Sequence, residues 1–185
     1  KNRRFGDVLK EAQALGYAEA DPTFDVEGID AAHKLSLLAS IAFGIPLQFN
    51  KVYCEGITKI NLQDVIYAKE LGYTIKHLGF AFRREHGFEL RVHPTLIPNS
   101  TLLANVKATA SAVMADVMDL IYVINANTPS DVPHLAFVPE ELSDTRILSG
   151  DEMTCGYYLR LTVKDELGVL ADTTRILSEN GINID

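Results

Sequence analysis

Apolar and polar residues recur along the chain with two different periods, and the period changes at glycines. From Phe5 to Leu15 the stretch FGDVLKEAQAL spaces its apolar residues for a helix, with Asp7 in the first turn and Gly16 placed to take a left-handed backbone at its end. LQDVIYAKELGY, from Leu62 to Tyr73, closes on the same Leu-Gly-Tyr, which marks shared capping chemistry and not an internal repeat. Between these helices YAEADPTFDVEG is polar and turn-rich, and Pro22 pushes Asp21 out of helical geometry. The next helix is predicted to start between Gly28 and Asp30 and to run to Phe43, where Gly44 and Pro46 stop it.

The period then shortens. TIKHLGFAFR, the turn REHG and FELRVHP, from Thr74 to Pro94, predict a β-hairpin in which Gly87 supplies a positive φ. In ATASAVMADVMDLIYVI, Val113, Val117, Leu120, Ile121 and Ile124 return to helical spacing, with Met114 and Met118 as core filler. Residues 125–155 lose periodicity and hold three of the seven prolines, so they read as a connector. From Tyr157 a strand (YYLRLTV), a turn (KDELG), a helix (VLADTTRILSEN) capped by Gly181 and a new strand (INID) form one βαβ unit that ends as its second strand begins. The predicted fold class is therefore α/β, a mixed sheet with helices on one face followed by a partial unit, divided as 1–124, 125–155 and 156–185.

Composition narrows the function classes. At 185 residues, with 47% hydrophobic and 23% charged positions, the chain can bury a real core. A net charge of -8 argues against nucleic acid, because phosphate binding needs a clustered basic surface, and only Lys1 with Arg3 and Arg4, and Arg83 with Arg84, are grouped. No apolar run approaches the roughly 20 residues that span a bilayer. Cys54 and Cys155 have no CxxC spacing, and His33, His77, His86, His93 and His134 form no HExxH pair, so neither a disulfide framework nor a metal site is expected. With no signal-like N-terminus, the expected compartment is the cytoplasm.

One residue stands out. On a wheel of residues 29–43 at about 100° per residue, Leu38, Ala31, Ala42, Leu35, Ile41 and Leu37 share an arc, Lys34 falls inside it and Asp30 near its edge, while His33, Ser36 and Ser40 lie opposite. One reading is an exposed i,i+4 pair worth about 0.3–0.5 kcal/mol. The other places Lys34 inward, either snorkelling outward from the leucines or facing a polar cavity. Glu19, Asp21, Asp25 and Glu27 precede Lys34 closely. If that loop folds back, its carboxylates converge on the ammonium and build a site for a small zwitterionic or cationic substrate; otherwise it is a solvated acidic loop with Asp25 or Asp30 capping the helix. Burial lowers a lysine pKa and nearby carboxylates raise it, which suits such a group to proton transfer. The loop has neither the Gly nor the Glu of an EF-hand calcium site.

The stretch LGYAEADPTFDVEGIDAAHKL resembles the substrate-site segment of homoserine dehydrogenases, and VYCEGITKINLQDVIYAKELGYTIKHLG and ELRVHPTLIP resemble the next two blocks in the same order. The resemblance covers nearly all of residues 5–106. It implies NAD- or NADP-dependent interconversion of L-homoserine and L-aspartate 4-semialdehyde, within threonine, methionine and isoleucine synthesis, by a homodimer or higher homo-oligomer. It assigns Lys34 as the proton donor to the aldehyde oxygen, Asp30 as the residue orienting substrate and Lys34, Glu19 as the ligand of the substrate amino group, and Asp25 as a further polar support. Thr23 and Phe24 stand where some members carry Arg and Asp, so no role passes to them. YYLRLTVKDELGVLADTTRIL resembles the first strand and helix of an ACT domain, a ferredoxin-like module that implies an amino-acid effector, although Leu167 replaces the usual Pro of its turn. No strand followed by GxGxxG is present, and the family match breaks between Val106 and Lys107, so cofactor-binding residues are expected mostly outside this chain. The alternative function is a non-catalytic, homodimeric amino-acid-binding regulatory module, which would have no use for Lys34.

Overall fold

A computed structural model describes residues 5–16, 18–106 and 137–184. The chain divides into two units, Lys1–Cys155 and Gly156–Asp185. In the first, helix α1 spans Phe5–Ala14, α2 Thr23–Val26, α3 Ile29–Phe43, α4 Leu62–Glu70 and α5 Leu102–Asn105. Glycines end the longer helices as the sequence predicts: Gly16, Gly44 and Gly72 have φ of 74°, 63° and 84°, and the Gly44 N–H donates to the Ser40 carbonyl at 2.9 Å. Helix α4 is opened by a reciprocal cap, in which the Asn61 side chain accepts from the Asp64 N–H and the Asp64 carboxylate accepts from the Asn61 N–H.

Three strands form one sheet in the order β1-β3-β2, with β1 at Tyr53–Cys54, β2 at Tyr73–Arg84 and β3 at Gly87–Pro98. Strands β2 and β3 are the predicted hairpin, antiparallel from Tyr73↔Pro98 to Arg84↔Gly87, and each runs longer than its alternation suggested. The short β1 lies parallel to β3 on the other side, so the sheet is mixed. Alternation on β3 sorts its residues between two faces. Phe88, Leu90 and Val92 meet Ala32, Leu35 and Ala39 of α3, together with Ile45, Val52 and Ile147, in the core. Burying a side chain such as Leu90 contributes about 1.5–3 kcal/mol. Glu89, Arg91 and His93 face the other way. There Glu89 is held by Arg84 at 2.6 Å and Arg91 at 3.0 Å, and the Arg91 guanidinium lies over the Phe80 ring.

The described part of the segment read as a connector, 137–155, belongs to the first unit. Ile147 and Leu148 are buried, Ile147 bridges to Phe88 in parallel, the Phe88 N–H donates to the Arg146 carbonyl at 2.9 Å and the Leu148 N–H to the Phe88 carbonyl at 2.7 Å. The helix predicted through Val113 and Ile124 lies outside the described residues. In the second unit the predicted helix is present as α6, Val169–Glu179, but no residue of Tyr157–Val163 is assigned to a strand. No helix among the described residues is long and apolar enough to cross a membrane.

Candidate active site

Helix α3 carries the two residues singled out as catalytic. It opens at Gly28, whose φ of 77° turns the chain into the helix without a side-chain cap, and the Ala32 N–H donates to the Gly28 carbonyl at 2.9 Å. One turn in, Asp30 accepts a hydrogen bond from the Lys34 ammonium at 2.6 Å. This is the i,i+4 geometry expected of side chains on one helix face.

The face itself differs from the wheel. Lys34 does share a side with Leu37, Leu38 and Ile41, but that side is exposed in this chain: their relative exposures are 45%, 63% and 47%, and the Lys34 side chain is 70% exposed. The side packed on the sheet is Ala32, Leu35, Ser36, Ala39 and Ser40. Small residues let α3 approach the sheet. Gly79 and Ala81 face Val92 and Leu90 across the hairpin, and a Cβ on Gly79 would already stand 3.5 Å from Leu35 Cδ1. Ser40 is admitted because its hydroxyl donates to the Ile45 carbonyl at 2.5 Å, which satisfies a polar group that burial would otherwise penalise. Lys34 is therefore presented outward, and the inward placement is corrected.

The four carboxylates of the preceding loop do not converge on the ammonium. Asp21 accepts from the Thr23 hydroxyl at 2.6 Å and from its N–H, and the first of these bonds is the main reason its pKa falls below the usual carboxylate value. Glu27 turns away to accept from the Thr58 hydroxyl at 2.9 Å. Glu19 is exposed, on a loop pinned to α1 by the Gln13 amide, which donates to the Glu19 carbonyl at 2.9 Å and the Ala20 carbonyl at 3.2 Å. Asp25 is exposed on α2. Among the described residues only Asp30 forms an ion pair with Lys34. The structure thus joins the two catalytic candidates, Lys34 and Asp30, and leaves the two substrate-binding candidates, Glu19 and Asp25, as separate, solvent-facing carboxylates.

Several neighbours escaped the sequence reading. His33 sits between Phe24 and Phe49, with ring centroids 5.6 and 3.8 Å away, and so ties α2 to α3. His77 Nε2 donates to the Glu55 carbonyl at 2.9 Å beneath the Gly28 turn. Gly56, within the block CEGIT, was the available signal: an isolated glycine often marks a close backbone approach, and here a Cβ would meet Glu27. The loop after β1 and the start of α4 offer no cradle for a dinucleotide phosphate. After β1, the space beside Gly56 is filled by Glu27, and the N-terminus of α4 is closed by Asn61 and the Asp64 carboxylate, where a phosphate would need open N–H groups. A depression of about 500 Å³ at the hairpin end is lined by Arg84, Glu89, Arg146 and Glu152, and includes neither Lys34 nor Asp30.

Comparison with known proteins gives the family. The family model for homoserine dehydrogenase matches residues 1–126. A homoserine dehydrogenase of Pseudomonas aeruginosa is 56% identical across the whole chain, which covers 49% of that relative. One of Neisseria gonorrhoeae is 46% identical, again across the whole chain and 48% of the relative. The alignment to the first runs over 211 positions, so the relative carries residues that this chain of 185 lacks. The solved structure of a homoserine dehydrogenase from Thiobacillus denitrificans superposes with a TM-score of 0.80 at 48% identity, over 100% of this chain and 49% of that one. The chain spans about half the length of the curated relatives it matches. With its helix-borne Asp and Lys, its mixed sheet and these matches in sequence and in structure, the chain belongs to the homoserine dehydrogenase family.

Proposed function

We propose that this chain carries the substrate site of an NAD(P)-dependent enzyme interconverting L-homoserine and L-aspartate 4-semialdehyde. The observation that carries the reading is the Lys34–Asp30 pair, 2.6 Å apart on an outward face of α3 in a chain of this family. Lys34 gives a proton to the C4 oxygen as the carbonyl becomes a hydroxyl, and takes it back in the reverse direction. Asp30 holds the ammonium by a charge-assisted hydrogen bond, which limits its orientations. Glu19 and Asp25, both exposed carboxylates in the segment leading into α3, serve the substrate amino group and its surroundings. The nicotinamide, NAD or NADP, is assigned to parts of the protein other than the described residues. Residues 156–185 are read as the start of an ACT unit that binds an amino-acid effector, and the working form as a homo-oligomer. An assay of the full-length protein with L-homoserine and each nicotinamide tests this: homoserine-dependent reduction of one or both is expected, and none with either would overturn it.

A further inference from the structure

Lys34 and Asp30 can act only if α3 enters the site at a fixed angle, and α3 has no cap of its own, since Gly28 offers no side chain to its first N–H groups. The residues just before it are instead held from outside. The Ile57 N–H donates to the Val26 carbonyl at 2.8 Å, the Cys54 thiol to the Glu27 carbonyl at 3.2 Å, and the Thr58 hydroxyl to Glu27 Oε1 at 2.9 Å. The loop between β1 and α4 comes close enough that a Cβ on Gly56 would lie 2.7 Å from Glu27 Cα and 2.7 Å from the Val26 carbonyl oxygen. On the other side, a Cβ on Gly28 would lie 2.6 Å from His77 Cε1. Of these contacts, the Thr58 bond is the one made by a charged side chain that belongs to neither the core nor the proposed chemistry.

We infer that Glu27 is a positioning residue: by accepting from Thr58, its carboxylate locks the turn between α2 and α3 onto the loop 54–58. Asp25 lies two residues before it and Asp30 three residues after it, so the lock sets the separation between the substrate-side carboxylate and the proton-transfer pair. The Gly28 N–H donation to the Asp25 carbonyl at 3.1 Å shows how directly the two ends of this turn are linked. The Glu27 charge also reaches Cys54, whose thiol pKa is raised first by burial and then by the Glu27 carboxylate. That effect is a by-product of the same close approach.

This inference rests on the proposed function and is tested apart from it. In the full-length protein, Glu27→Ala and Thr58→Val each remove the bond, and Thr58 is exposed, so its replacement leaves the core untouched. Each is expected to lower kcat for homoserine about 10- to 100-fold, as a small misplacement of reacting groups does, with KM for the nicotinamide unchanged. Glu27→Gln keeps an oxygen that can accept from Thr58 and is expected to retain activity within about 3-fold. The double variant Glu27→Ala/Thr58→Val is expected to be no slower than either single one, because one bond is removed once. Full kcat in Thr58→Val, or additive losses in the double variant, would overturn the inference while wild-type turnover keeps the proposed function standing. Absence of turnover in the wild-type protein would remove both.

Discussion

The two faces of α3 solve different problems with different residues. Its sheet face is Ala32, Leu35, Ser36, Ala39 and Ser40, mostly small, and Ala32 and Ser40 are fully buried at 0% exposure. Its outer face carries the larger apolar side chains Leu37, Leu38 and Ile41 beside Lys34, all open in this chain. Burial here follows closeness of approach, not hydrophobicity: small side chains let helix and sheet backbones come together, while large ones stay where there is room. The inner face packs α3 onto the sheet. The outer face presents Asp30 and Lys34 on the helix that this packing holds against the sheet, the arrangement that the proposed proton-transfer pair would need.

The comparison can be broken most forcefully from the inside. Leu90→Ala empties a site on β3 that lies against α3, and is expected to cost about 2–5 kcal/mol, read as a fall in urea midpoint. A loss below about 1 kcal/mol would mean that the inner face is not the seat of α3. The next largest effect is expected at the helix entry. Gly28→Ala forces a Cβ onto a left-handed backbone and against His77, which should cost about 1–3 kcal/mol and lower kcat with it. If stability falls and kcat per folded molecule holds, the angle of entry does not matter to the chemistry. On the outer face Leu38→Ala should change stability by no more than about 0.5 kcal/mol in this chain. A core-sized loss there would reverse the assignment of the two faces.

The smallest expected effect lies away from α3 and serves as its control. Arg146 holds Glu152 at 2.6 Å and, with the Ser149 N–H and hydroxyl, draws its pKa down from 4.5 to about 2. A carboxylate whose folded pKa is depressed adds stability that is present above its unfolded pKa and is lost as pH falls through the folded one. The Tm gap between wild type and Glu152→Gln should therefore be steady near pH 7, shrink below about pH 4.5 and vanish near pH 2. The gap is modest, because the pair is open to solvent. A gap that grows on acidification would contradict the pairing.

Much of the frame was legible because glycines punctuate it. Gly16, Gly44, Gly72 and Gly87 marked three helix ends and the hairpin, and each takes the positive φ that its position requires. The face of α3 was not legible, because it is apolar on most sides and a wheel cannot weigh Ala and Ser against Leu when fit decides burial. Strand β1 was missed for its length: Tyr53 and Cys54 are too few to show a period, and only their pairing to Arg91 and Val92 makes them a strand. The same holds for Ile147, which joins the core through a single bridge to Phe88. At the candidate site, the i,i+4 spacing made the Lys34–Asp30 pair itself legible, while the roles proposed for it came from the family resemblance. The Glu27 lock depends on residues 31 positions apart, Glu27 and Thr58, and no local pattern encodes that.

The central claim is that Lys34, held by Asp30, moves the proton. The most direct measurement is steady-state turnover of full-length Lys34→Ala with homoserine, alongside homoserine binding measured by calorimetry. The account predicts a kcat lowered by about 10²- to 10⁴-fold, the range for losing a general acid–base group, with homoserine binding largely kept. A variant that binds homoserine and turns it over at the wild-type rate would contradict it.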